Sequence, residues 1–251
     1  MTTLAYDGTF EGWLTAVFEI YEYKFDDVEF SAEGVSSNMF SMDREVITDP
    51  RKAGRVKQGL QQRLSPQGYQ QLYQAFYSEE EKIERQMWLY ARYAFASKIN
   101  IEGDQRNPVV WNIYKAAQKV RRESHRMKAF VRFQLTRDQL YYAMVEPDCD
   151  VLTLIARHFS DRYADQRWLI YDGKRKYGIY YNLEKLSVVE MTFHTSTPGV
   201  EVWDEKELFF QKLWQRYFGS VNIQARKNMK LHLQHMPKRY WRHLTEKRVE
   251  L

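Results

Sequence analysis

The segment His125-Arg126-Met127-Lys128-Ala129-Phe130-Val131-Arg132-Phe133 is the first place where residue types and spacing suggest chemistry. Met127, Ala129, Val131, Phe133 and Leu135 alternate with Lys128, Phe130, Arg132 and Gln134, a period of two that predicts a strand. Lys128, Phe130 and Arg132 would then share one face. Cations two residues apart with a ring between them can hold phosphates while the ring stacks on a base. The alternative is a solvated face, or one covered by a helix through salt bridges. A second cluster begins at Trp214-Gln215-Arg216-Tyr217-Phe218 and continues through Arg226 and Lys227 to Met236-Pro237-Lys238-Arg239-Tyr240-Trp241. Arg216, Arg226, Lys227, Lys230, Lys238, Arg239 and Arg242 supply further phosphate partners, with Arg126 from the first cluster. Each phosphate neutralised on a duplex adds about 0.9 to the salt slope. Tyr240 and Trp241 could stack on bases, but large rings mostly bury area, so packing is expected of them.

Catalytic chemistry is harder to place. His125, Asp172, Arg216, Asn222 and Arg226 are polar residues within aromatic-rich blocks, and they are the candidates if the protein processes nucleic acid itself. His125 sits beside Arg126. His158 falls on the apolar face of a predicted helix and reads as a core histidine. His232 and His235 are three apart, but no third ligand accompanies them, so no metal site is expected. Cys149 is the only cysteine, which excludes an intrachain disulfide, a Cys-rich zinc site and a cysteine-held iron–sulfur cluster. There is no Walker loop, no Gly-x-Gly-x-x-Gly and no Gly-x-Ser-x-Gly elbow, and no cofactor is expected.

The charge is divided along the chain. Residues 1–114 carry 12 Lys+Arg against 17 Asp+Glu, whereas residues 115–251 carry 26 against 16. Between 212 and 248 there are 10 basic residues and one acid, Glu246. Such asymmetry favours a polyanionic partner for the second half; the alternative is a basic face that balances the acidic half. The chain of 251 residues is long enough to bury a core without staples. The start lacks a basic segment followed by an apolar one, and no apolar run approaches the ~20 residues of a membrane helix. A cytoplasmic globular protein without membrane contact is expected.

These residues must be positioned by the elements around them. Asp7-Gly8 is a turn, Thr9 an N-cap, and Phe10, Trp13, Leu14, Val17, Phe18 and Tyr21 mark a helix over about 10–23. A strand is possible near Val28–Phe30. Asp49-Pro50 and Ser65-Pro66 open two more helices. Ser78 with Glu79, Glu80 and Glu81 resembles a capping box before another, and Asn107-Pro108 opens the next. After the 127–135 strand, Thr136-Arg137-Asp138-Gln139 connects to a strand over Tyr141–Glu146. Asp148 and Asp150 cap a helix carrying Val151, Leu154, Ile155, His158 and Phe159. Trp168–Tyr171 and Tyr177–Asn182 flank the hairpin signal Asp172-Gly173, and Val188–Phe193 could add a strand. Asp204–Gly219 forms a closing helix, and a basic tail with shorter helices follows. The order predicts an α+β fold: a helix-rich N-terminal half, then a mainly antiparallel sheet (strand-strand-helix-strand-strand) with C-terminal helices. The boundary falls at 1–124 and 125–251, although the parts could pack as one unit.

Four ordered blocks resemble a bacterial family of conserved "probable DNA metabolism" proteins. They are Tyr6-Asp7-Gly8-Thr9-Phe10-Glu11-Gly12 with Leu14–Phe18; His125–Phe133; Glu146-Pro147-Asp148 with His158-Phe159 and Asp165–Asp172; and Arg216-Tyr217-Phe218 through Val221-Asn222-Ile223, Arg226 and Asn228 to Gln234–Trp241. The resemblance spans essentially the whole chain. It implies genes beside a DNA modification or repair protein of the radical-SAM class, and a module also fused to uracil-DNA-glycosylase-like domains. The sequence has neither that glycosylase domain nor radical-SAM cysteines, and the resemblance assigns no catalytic residue. The leading expectation is a DNA repair or base-modification accessory protein that binds nucleic acid and works with a radical-SAM partner. The alternatives are a nucleic-acid-processing enzyme, such as a glycosylase or nuclease, and a protein–protein adaptor whose acidic half meets a basic partner.

Overall fold

The computed structural model describes residues 2–32, 42–190, 203–220 and 229–247. Two compact units divide the chain, Met1–Arg121 and Arg122–Leu251.

In the first unit a three-stranded parallel sheet has the order β2-β1-β3, with β1 at Thr2–Ala5, β2 at Val28–Ser31 and β3 at Met42–Glu45. Helix α1 (Phe10–Tyr23) makes the crossover from β1 to β2, as parallel pairing requires. Helices α2 (Pro50–Arg63), α3 (Pro66–Phe76), α4 (Ile83–Ala96) and the start of α5 (Pro108–Phe130) complete the unit. Their N-termini follow local rules. The Thr9 hydroxyl accepts from Gly12 N, Asp49 from Arg51 N and Lys52 N, and Ser65 from Gly68 N, each satisfying orphan donors of the first turn. Asn107 Oδ1 accepts from Val109 N at 2.9 Å before α5. The capping box expected at Ser78 does not form. Ser78 is fully buried, its hydroxyl accepts from Glu80 N, and α4 starts only at Ile83, after Lys82 in the left-handed region. The core gathers Trp13, Leu14, Val17, Leu60, Leu72, Met87 and Ile113.

The second unit is built on a five-stranded sheet of order β4-β5-β6-β7-β8. Its strands are β4 (Gln134–Leu135), β5 (Tyr141–Val145), β6 (Trp168–Asp172), β7 (Tyr177–Tyr181) and β8 (Leu186–Glu190). All pairs are antiparallel except β5–β6, which are parallel and joined by α6 (Leu152–Arg162). Every residue of central β6 is buried, so both faces of the sheet are covered there. Trp168 packs with Phe133 and Phe159, while Leu169 and Tyr171 join Tyr142 and Trp203. Helices α7 (Glu207–Ser220) and α8 (Met229–His235) follow, then 3-10 turns at Lys238–His243 and Thr245–Lys247. The α+β class, the helix-rich first half and the mostly antiparallel sheet are as the sequence predicts.

The long strand expected over 127–135 is a correction. Helix α5 continues to Phe130, and only Gln134–Leu135 are strand. The buried residues Val120, Glu123, Met127, Phe130 and Val131 are spaced by threes, fours and a single closing step, so the helical stripe outlasts the alternation within it. Lys128, Phe130 and Arg132 therefore share no strand face. The expected helix cap by Asp148 and Asp150 is also absent: α6 has Val151 as N-cap, with no side-chain cap. Among the described residues no helix is long and apolar enough to cross a membrane.

Candidate nucleic-acid interface

Glu123 sits on α5 with its carboxylate buried, and it draws polar groups from the C-terminal segment. Tyr240 Oη donates to its two oxygens at 2.7 and 2.6 Å, and Asp148 N donates to it at 2.9 Å. Arg239 Nη2 lies 3.3 Å from Glu123 and 2.8 Å from Asp148. Burial first, and then the Glu123 carboxylate, raise the Tyr240 pKa, so the phenol stays protonated and keeps donating. The ring of Phe130 is 5.3 Å from that of Tyr240. Arg126 reaches Glu123 at 3.9 Å and the Gln234 carbonyl at 3.5 Å.

A second buried acid, Glu246, holds Arg132. The guanidinium also donates to the carbonyls of Ala129 and Val131, which α5 leaves open at its end. Burial acts to raise the Glu246 pKa, but hydrogen bonds from Arg132 and Trp214 outweigh it and lower the value. At the end of β5, Glu146 pairs with Arg242 and lies 3.6 Å from His243. At the end of β6, Asp172 is fully buried. It accepts from Lys174 N at 2.8 Å, from Arg175 N at 3.1 Å and from Arg175 Nη1 at 2.6 Å. This carboxylate shapes the β6–β7 hairpin. Asp150 accepts from the Tyr177 hydroxyl instead of capping α6.

The sequence candidates thus separate. Phe130 is buried, and Arg126, Arg132 and Arg239 bond within the unit. Arg216 on α7 and Lys238 beyond α8 are exposed and pair with no acid among the described residues. Lys128 is likewise exposed and unpaired, and it faces α6. His158, half-exposed rather than a core residue, has its pKa lowered first by desolvation and then by the charges of Lys128 and Arg162. Lys128 and Arg162 thus act on one ring from two helices, with Asp161 opposing them, a grouping that sequence periodicity could not assemble. His125 is exposed on the same helix as Lys128. Asn222, Arg226 and Lys227 lie outside the described residues. Tyr240 packs as expected, and no group of His, Cys, Asp and Glu able to hold a metal ion occurs among the described residues.

A family model described as a domain of unknown function (DUF4130) matches residues 81–246. The chain belongs to this family. The DUF4130 match takes in α4 and the rest of the described chain as far as Glu246, so both buried acids and the cations they hold lie within it. No curated protein and no solved structure matches this DUF4130 chain.

Proposed function

We propose that the second unit holds nucleic acid, and that the protein is a DNA-metabolism accessory, in repair or base modification, that presents DNA to a radical-SAM partner. The observation that carries this reading is how the charges are distributed. Glu123, Glu146, Asp172 and Glu246 are occupied internally by Arg239, Arg242, Arg175 and Arg132. Lys128, Lys212, Arg216, Lys230 and Lys238 stay exposed and form no ion pair among the described residues. A surface left positive in this way attracts phosphates and gives binding that weakens with salt. The partner enzyme comes from the family resemblance, whose members are encoded beside such a protein. Fluorescence anisotropy of labelled DNA across a salt series tests the reading. Binding that falls steeply as salt rises, and that weakens in Lys128→Glu and Arg216→Glu, is expected. Weak binding with a flat salt response refutes it. Pull-down of the radical-SAM protein with and without nuclease separates a DNA bridge from direct protein contact.

A further inference from the structure

Helix α2 carries no acid. Between Pro50 and Arg63 it has Arg51, Lys52, Arg55, Lys57 and Arg63 and neither Asp nor Glu, although it lies in the acidic half of the chain. Lys52 is taken up by Glu19 and Glu22 of α1, at 3.1 and 2.8 Å, and Arg63 donates to the Ser97 carbonyl. The preceding acid, Asp49, accepts from the amides of Arg51 and Lys52. Arg51, Arg55 and Lys57 are exposed and form no ion pair among the described residues. Arg51 and Arg55, four apart, share one face.

Arg55 also lines a cleft between α1, α2 and α4. The cleft has a volume of about 320 Å³, and its walls are Phe18, Tyr21, Arg55, Val56, Gly59 and Phe95, with no acid among them. Small-molecule sites begin at about 300 Å³ and combine ring-lined walls with a few polar groups. Gly59 keeps the space open, since an added Cβ would stand 3.1 Å from Phe95 Cε1. Tyr21 is 49% exposed, yet its ring is braced edge-on by Trp88 at 5.2 Å and by Phe95 at 5.9 Å. The Arg55 guanidinium lies 4.9 Å from the centre of the Phe18 ring, which steadies it without neutralising it. Arg92 of α4 is exposed, forms no ion pair among the described residues, and is close enough for its charge to act on the Tyr21 hydroxyl.

These features specify a ligand chemistry. Ring walls take a flat group, and a guanidinium with no carboxylate partner takes an oxyanion through its fork of N–H donors. The further positive charge of Arg51, Lys57 and Arg92 suits a phosphate better than a single carboxylate. We propose that this cleft binds a nucleotide, with its base against Phe18, Tyr21 and Phe95 and its phosphate on Arg55. The nucleotide is either free or an unstacked one within a strand, in which case a neighbouring phosphate meets Arg51. The site belongs to the first unit and does not depend on the cations of the second.

Isothermal titration calorimetry on the full chain tests this with deoxyadenosine monophosphate, with ribose-5-phosphate, which lacks the base, and with deoxyadenosine, which lacks the phosphate. The whole nucleotide should bind about tenfold or more tighter than either fragment. Arg55→Glu alters an exposed side chain and should weaken the nucleotide by about tenfold or more while leaving deoxyadenosine unchanged. Gly59→Leu fills the cleft and should weaken the nucleotide and deoxyadenosine together, and thermal melts check that both variants fold. Pentadeoxyadenylate separates the two sources. Binding tighter than that of the mononucleotide, and weakened in Arg55→Glu, assigns the cleft to a base of a strand; binding no tighter assigns it to a free nucleotide. Ribose-5-phosphate binding as tightly as the nucleotide overturns the inference, as does nucleotide affinity unchanged in both variants. Pentadeoxyadenylate binding that ignores both variants, without mononucleotide binding, overturns the cleft and leaves the reading of the second unit intact.

Discussion

Arg132 and Glu246 are joined by two hydrogen bonds, Nε to Oε2 at 3.2 Å and Nη2 to Oε1 at 2.7 Å, although 114 positions separate them in the chain. The carboxylate is fully buried and also accepts from the Trp214 indole. One acid therefore fastens the end of α5, the body of α7 and the final 3-10 turn. Glu246→Gln keeps the shape and removes the charge. It should destabilise the protein by about 2 kcal/mol at neutral pH, the loss of a charged hydrogen bond reduced by the partial exposure of Arg132. The pH dependence has a definite sign. The folded-state pKa of Glu246 lies below the ordinary 4.5. Its stabilisation is therefore complete above that value and disappears as pH falls through the folded pKa. Urea unfolding at several pH values should show a constant gap between wild type and variant above about pH 6, closing in acid. A gap that persists at the lowest pH would mean the charge is not what matters.

Tyr240 and Glu123 provide an independent check on the C-terminal segment. Tyr240→Phe removes only the hydroxyl that donates to both Glu123 oxygens. Arg239 and the Asp148 amide still serve the carboxylate. The cost should be about 1–3 kcal/mol, that of a buried acceptor losing a donor. Glu123→Gln combined with Tyr240→Phe should cost less than the sum of the two, because the variants share a partner. Full additivity in a denaturant-based cycle would contradict the direct bond.

In the first unit, Asp7 Oδ1 accepts from Thr9 N at 3.0 Å and Thr9 Oγ1 at 2.7 Å, while Oδ2 accepts from Thr48 Oγ1 at 2.7 Å. Desolvation acts against ionisation of Asp7, but these bonds outweigh it and lower the pKa. Gly12 lies directly under the carboxylate, where an added Cβ would stand 2.2 Å from Asp7 Oδ1. Gly12→Ala gains helix propensity yet should be net destabilising by about 1–3 kcal/mol, the cost of overpacking. Asp7→Ala in the same background should recover part of that loss. Thermal melts of the single and double variants decide it, and a Gly12→Ala variant as stable as wild type would disprove the crowding.

The parts of the fold that could be read from the sequence are those fixed within a few residues. Thr9, Asp49, Ser65 and Asn107 start helices because their side chains reach amides two or three positions on. Asp172-Gly173 makes a hairpin for the same local reason. Strands β1 and β3 escape such reading: each has four residues, and Thr2 pairs with Met42 across a long stretch of chain. The end of α5 misled because Glu123 is a charged residue buried on its inner stripe, which interrupts the apolar pattern. Its partner Tyr240 is distant in sequence. The same holds for the candidate interface. Charge counting identifies the basic half, but which cations are consumed internally depends on pairs such as Arg132–Glu246 that no local pattern encodes. On α7 the apolar spacing marks a helix correctly, and only the Glu207 contact to Leu135 shows which face is turned inward.

His158 reports on the charges around it. Desolvation, Lys128 and Arg162 all lower its pKa from 6.5, and Asp161 opposes them. The ring is therefore less protonated in the folded protein than in the unfolded chain. Stability linked to it rises with pH between the folded value and 6.5 and falls on acidification through that window. Lys128→Gln removes one repelling charge, so the midpoint should move up toward 6.5. Phosphates bound across Lys128 and Arg162 would also raise it, so binding should take up a proton and tighten as pH falls toward the folded pKa. An NMR titration of the His158 ring proton follows both effects. If the midpoint stays in place in Lys128→Gln, Lys128 does not act on the ring. If it moves in the variant but not on addition of DNA, nucleic acid binds elsewhere.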